Sequence, residues 1–188
     1  MTSRERNVPA AVTWGLLAAW AIHDAEELVT MGGWVDRARP RLRRRFPRVP
    51  DKVWDRMRVT PRQAAIAIGA MGVVVAAASA DGARTGGRSP FYQAALVGFG
   101  LHTGAHLAQS AITGGYTPGV VTAPIVAAPF SIWALGRLRK AGVPIDTGGS
   151  PGQAILFAGG TILACQGLAR FLTRSRPVEW SATVAPGP

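Results

Sequence analysis

The chain has 188 residues, enough for one domain; 48% are hydrophobic and only 16% charged, with 23 glycines and a positive mean hydropathy. That composition excludes an ordinary soluble domain of this size and points to a membrane protein. Lys and Arg number 21 against 10 Asp and Glu, a formal charge of +11. The basic residues cluster in one connecting segment and at helix ends, which suits the positive-inside rule and anionic headgroups; no nucleic-acid partner is expected.

Residues 1–7 read as a short polar tail, and a first helix is predicted over 9–31. Its apolar run, Pro9 to Ile22, is shorter than the roughly 20 residues a span needs. It reaches that length only if His23-Asp24-Ala25-Glu26-Glu27 also lies in the membrane. A cleaved signal peptide, with small residues near Ala19 and Ala21, is the alternative, but the segment that follows does not look like a secreted domain. At about 100° per residue, Glu26 falls about 60° from His23 on one side and Glu27 about 40° on the other, while Asp24 turns away by about 100°. One imidazole and two carboxylates thus share a helix face. Ionisable groups in an apolar helix are costly and face a partner, a cavity or a metal.

Residues 35–60 carry Arg37, Arg39, Arg41, Arg43, Arg44, Arg45, Arg48, Lys52, Arg56 and Arg58. They read as a solvated basic loop that sets topology, with a short amphipathic helix near Asp51–Met57 using Val53, Trp54 and Met57. Then Thr60-Pro61, Ser89-Pro90, Thr117-Pro118 and Ser150-Pro151 each pair an N-cap hydroxyl with a proline suited to a first helical turn. Each opens an apolar run, predicting helices over 61–80, 90–112, 118–138 and 151–173. Gly-rich pieces separate them, and Pro124 and Pro129 should bend the fourth helix. Residues 177–188 read as a flexible tail. The expectation is one all-α domain over 1–176, a five-helix transmembrane bundle. Placing the basic loop inside puts 14 basic residues on that side and 7 on the other, hence N-out and C-in. Cys165 stands alone in an apolar run and reads as packing.

The third predicted helix holds His102 and His106, four apart and so neighbours on one face, with Gln109 and Thr113 extending the stripe. Gly98, Gly100 and Gly104 let another backbone approach. His23 lies about 21 Å along the first helix, and His102 and His106 about 18–24 Å along the third, which runs in the same direction. The two clusters therefore fall at similar depth. Three imidazoles and two carboxylates suffice for one divalent metal or a bridged pair; zinc and iron are not distinguished by ligand type. In a zinc version three histidines and one glutamate bind and the other, Glu26 or Glu27, acts as general base. A metal-free His–Glu network clasping the two helices is the plainer alternative. Tyr116 is a weaker candidate, able to hydrogen-bond a ligand or merely to form a turn. Trp14, Trp20 and Trp34 either line a lipid-like cleft or anchor the interface. Asp81 and Asp146 are placed in loops with no special role.

His23-x-x-Glu26-Glu27 resembles the signature of the HXXEE family of small bacterial integral membrane proteins. His106 and the following Tyr116-Thr117-Pro118-Gly119 fit the rest of that pattern, so the resemblance covers about residues 14–135. An Asn often stands where His102 is, which leaves His23, Glu26, Glu27 and His106 as the core. The resemblance implies a multi-pass protein of the bacterial plasma membrane with an enzyme-like site, and names no reaction. The reading that follows is a membrane metal enzyme acting on an apolar or lipid-like substrate, by hydrolysis or O2-dependent oxidation. An ion, proton or metal transporter is the alternative, although no internal repeat supports it; a non-catalytic polar clasp is another.

Overall fold

The hydroxyl–proline punctuation marks two helix starts in the computed structural model, which describes residues 8–148 and 151–173. Thr60 forms a capping box: its Oγ1 accepts from the Gln63 amide at 3.1 Å, and Gln63 Oε1 accepts from the Thr60 amide at 3.0 Å. Ser89 Oγ accepts from the Tyr92 amide at 3.2 Å. The helices they open, α4 (Pro61–Arg84) and α5 (Pro90–Thr113), follow α1 (Ala10–Thr30), α2 (Trp34–Arg45) and α3 (Asp51–Met57). Then come a π-helical turn over Ala123–Ala127, α6 (Ala128–Lys140) and α7 (Pro151–Thr173). Every described element is helical. The polar tail with Arg4 and Arg6, the Ser150 cap, Arg174, Arg176 and the tail over 177–188 lie outside the described residues.

Three expectations are corrected. The 35–60 segment is not an open loop, because α2 joins the foreseen α3 in a helical hairpin. Trp34, Val35, Ala38 and Leu42 form a buried stripe on α2 and pack with Trp54 of α3. Thr117 does not cap a helix. Residues 117–122 turn first, and the helix opens at Ala123 with a wide turn in which the Ala128 amide reaches the Ala123 carbonyl. Pro124 and Pro129 lack the N–H groups an α-helical register needs there, so the prolines shift the register of hydrogen bonds. Asp81 is not in a loop; it ends α4, accepting from Ser89 Oγ and pairing with Arg84.

The basic residues of α2 have a structural use. Arg37, Arg41 and Arg45, one turn apart, donate to carbonyls at the C-terminal ends of α1 and α5 and in the turns that follow them. Arg37 reaches Thr30 O at 2.7 Å and Gly32 O at 3.0 Å; Arg41 reaches Thr113 O at 3.1 Å and Tyr116 O at 3.0 Å; Arg45 reaches Ile112 O at 3.3 Å. Helix C-termini leave carbonyls unpaired and carry partial negative charge, so a row of guanidinium groups satisfies both needs. Trp34 Nε1 adds a bond to Tyr116 O at 2.9 Å. The hairpin therefore closes the end of the bundle nearest the His/Glu cluster.

The central core joins Val12, Leu16, Ala19, Val75, Tyr92, Leu96, Phe99 and Leu138. α1 packs mainly on α4, and α7 lies against α4 and α5. Direct contact between α1 and α5 is sparse, which leaves room for a cleft between them. Cys165 is buried beside Ala67 and Ala169, as a packing residue. Two helical segments, Pro61–Arg84 and Leu156–Thr173, are long and apolar enough to cross a membrane. α1 falls short of that mark because His23, Asp24, Glu26 and Glu27 share its last turns, and α6 is short.

Candidate metal centre

His23 and Glu27 project from one face of α1, four residues apart, and His102 and His106 do the same on α5. The two pairs meet. His106 Nε2 lies 3.2 Å from Glu27 Oε1, His23 Nε2 lies 3.9 Å from the same oxygen, and His102 Nε2 lies 2.7 Å from His106 Nε2. One ligand atom from each of the four residues falls within 4.8 Å of all the others. The rings stand edge to face: His23 and His106 centroids are 4.9 Å apart, and Phe99 closes on the other edge of His23 at 5.8 Å.

The set fits a metal. Ligand atoms about 2.0–2.2 Å from a common ion lie about 3.3–3.5 Å from one another, within the spread seen here. Imidazole and carboxylate suit zinc and iron alike. His23 is 1% exposed, and its Nε2 is buried with no hydrogen-bond partner. An unpaired buried ring nitrogen is costly unless something occupies its lone pair. The cluster can thus hold a metal ion, of an identity its ligands do not choose.

Glu26 stands apart from these four. It turns to the start of the π turn, where Oε2 accepts from the Thr122 amide at 2.8 Å and from Thr122 Oγ1 at 2.6 Å. Its Oε1 accepts from the Tyr116 hydroxyl at 2.7 Å and, at 3.4 Å, from the Val121 amide. Four donors and no acceptor surround it, the set an ionised carboxylate satisfies, at a helix N-terminus that favours negative charge. Thr122 Oγ1 also contacts His23 Nδ1 at 2.9 Å.

The 116–122 turn closes one side of the cluster. Gly119 has φ +80°, and a Cβ there would sit 2.5 Å from His106 Cε1 and 2.9 Å from Glu27 Oε1. Only glycine lets the backbone pass this close to the cluster. The opposite side opens into a cleft of about 570 Å³. Its walls are largely apolar, with Trp20, Met71, Phe99 and Phe157 among them, and Glu27, His102 and His106 stand at its polar part. Trp20 therefore lines the cleft, Trp34 is buried under the hairpin, and Trp14 is exposed. Among the described residues no Lys or Arg borders the cleft, so the basic groups beside its acids are imidazoles.

A sequence profile described as a protein of unknown function with HXXEE motif matches residues 14–134. The chain belongs to the HXXEE family. No curated protein and no solved structure matches it. In this HXXEE chain the motif's residues divide: His23 and Glu27 face the α5 histidines, and Glu26 faces the 116–122 turn. Helix periodicity and depth brought His23, Glu27, His102 and His106 together, and with them Glu26, which in the structure turns to Thr122 instead of joining the four. Sequence reasoning missed Thr122, for which no local signal exists, and set aside Asp24. That carboxylate is 8% exposed, makes no hydrogen bond among the described residues and lines the cleft. A 100° turn moves Asp24 off the face of His23, but the cleft is wide enough to take in both.

Proposed function

We propose that this HXXEE protein is an integral membrane, metal-dependent enzyme acting on an apolar or lipid-like substrate. The observation that carries the proposal is the convergence of three imidazoles and one carboxylate, three of these four residues bordering a largely apolar cleft. A purely structural clasp has no need of a cleft beside it. A bound divalent ion would supply Lewis acidity and make water a better nucleophile at neutral pH. The chain's own residues do the rest. His23, Glu27, His102 and His106 would hold the ion, with Glu27, His102 and His106 bordering the cleft. The apolar wall takes the substrate's tail and excludes water. Asp24 offers an acceptor for an O–H or N–H of the substrate's polar part. Glu26, held by four donors facing the turn, is not placed to act on a molecule in the cleft.

The membrane part of the proposal rests on composition and on the two apolar helical segments, extended to a multi-pass arrangement through α1 and α5. Within the hairpin Arg39, Arg43 and Arg58 pair with Asp55, Asp51 and Asp36; with the hairpin on the cytoplasmic side, the exposed Arg44, Arg48, Lys52 and Arg56 are left to meet anionic headgroups. The experiment is to incubate metal-loaded protein, in micelles, with a total lipid extract and to follow products by mass spectrometry against Glu27→Gln. Products gained with wild type and absent with the variant support the enzyme. Cleavage with addition of water indicates hydrolysis; gain of oxygen or loss of hydrogen indicates oxidation. Zinc or iron flux into proteoliposomes, with no product formed, would instead establish transport.

A further inference from the structure

We infer that Glu26 and Thr122 form a positioning relay for the metal ligand His23, so that the two glutamates of the motif do different work. The inference rests on the metal-site reading and adds a role for residues outside the four ligands. Thr122 Oγ1 carries one proton and lies 2.6 Å from Glu26 Oε2 and 2.9 Å from His23 Nδ1, with the His23 carbonyl a distant third at 3.5 Å. A carboxylate is acceptor-only, so the hydroxyl proton goes to Glu26. The hydroxyl oxygen must then accept from His23, which places the ring proton on Nδ1. The lone pair is thereby fixed on Nε2, the nitrogen that faces Glu27 and has no partner of its own. A metal ligand histidine is commonly held in this way, through its other nitrogen, by a carboxylate or a carbonyl. Here a threonine hydroxyl stands between ring and carboxylate.

The anchoring is firm at the far end. Glu26 is tied to the Thr122 and Val121 amides and to the Tyr116 hydroxyl, so the relay runs from the backbone of one element to a ring on another. Phe99 against the ring edge limits its swing. Only Thr122 touches the ring nitrogen; Glu26 acts on it through that hydroxyl, and Tyr116 holds Glu26.

The test is a metal titration of the full-length protein in detergent, using Zn²⁺ for affinity and Co²⁺ for its visible absorption. Thr122→Val keeps shape and removes the hydroxyl, Thr122→Ser restores it, and Glu26→Gln weakens the acceptor. Thr122→Val is expected to lower affinity by about 10–100-fold and to alter the Co²⁺ spectrum, with Thr122→Ser returning both towards wild type. Glu26→Gln, which keeps the size of the side chain, is expected to lie between. Thr122→Val and Glu26→Gln both binding like wild type, while His23→Ala does not, would overturn the relay and leave the metal site standing. If Thr122→Val does not fold, an unchanged Glu26→Gln alone overturns it. Wild type that takes up neither ion removes the site and the relay together.

Discussion

Gly119→Ala separates backbone strain from damage to the cluster. Gly119 has φ +80°, and an added methyl would meet His106 Cε1 at 2.5 Å, His106 Nδ1 at 2.9 Å and Glu27 Oε1 at 2.9 Å. Ordinary contacts at a Cβ are 3.4–4 Å, so the imidazole has to retreat by about 1 Å. Metal–ligand distances tolerate only about 0.2 Å, so such a shift should weaken metal binding on the order of 100-fold, about 2.7 kcal/mol. The left-handed backbone adds about 1–2 kcal/mol of destabilisation. Gly114→Ala is the control: its φ is +69°, and nothing lies within 4 Å of the added methyl. It should cost the same backbone strain and leave metal affinity unchanged. Thermal unfolding in detergent and zinc titration of both variants give the comparison. Equal metal affinity for the two variants would refute the view that the 116–122 turn is a wall of the centre.

Arg41→Met removes two bonds to the carbonyls of Thr113 and Tyr116, and should lower stability by about 1–2 kcal/mol in chemical denaturation while metal stoichiometry holds. Trp34→Phe forfeits the bond to Tyr116 O and should cost about 1 kcal/mol in the same assay. Asp24→Asn should keep full metal content, since Asp24 is outside the four-residue set, whereas Glu27→Ala should lose it; elemental analysis of the two purified variants decides. Ala105→Trp, which fills the cleft beside His106, should abolish product formation without reducing metal content.

Much of the centre was legible because helix periodicity is blunt and strong. His23 with Glu27 and His102 with His106 are each one turn apart, and like-directed helices put them at one depth. What was not legible depends on tertiary placement. Thr122 and Glu26 are 96 residues apart in sequence, and only the turn after α5 brings the hydroxyl between His23 and the carboxylate. The helix α2 was obscured by Pro40 and by a crowd of arginines around a narrow stripe of Trp34, Val35, Ala38 and Leu42. Arg41 and Arg45 looked like charge for a membrane surface, because the carbonyls they satisfy lie at the end of α5, about 70 residues along the chain; Arg37 reaches back only to the end of α1 and the turn after it. Thr117-Pro118 carried the same cap signature as Thr60-Pro61, yet its backbone is spent on passing Gly119 beside His106, and the helix begins only at Ala123.

The most direct measurement is metal content with X-ray absorption at the metal edge, on protein purified in detergent without chelators. About one ion per chain, surrounded by imidazole nitrogens and a carboxylate oxygen at about 2.0–2.2 Å and lost in His23→Ala with His106→Ala, is the predicted result. Folded protein that carries no ion, and takes up neither zinc nor iron when they are offered, would contradict the account.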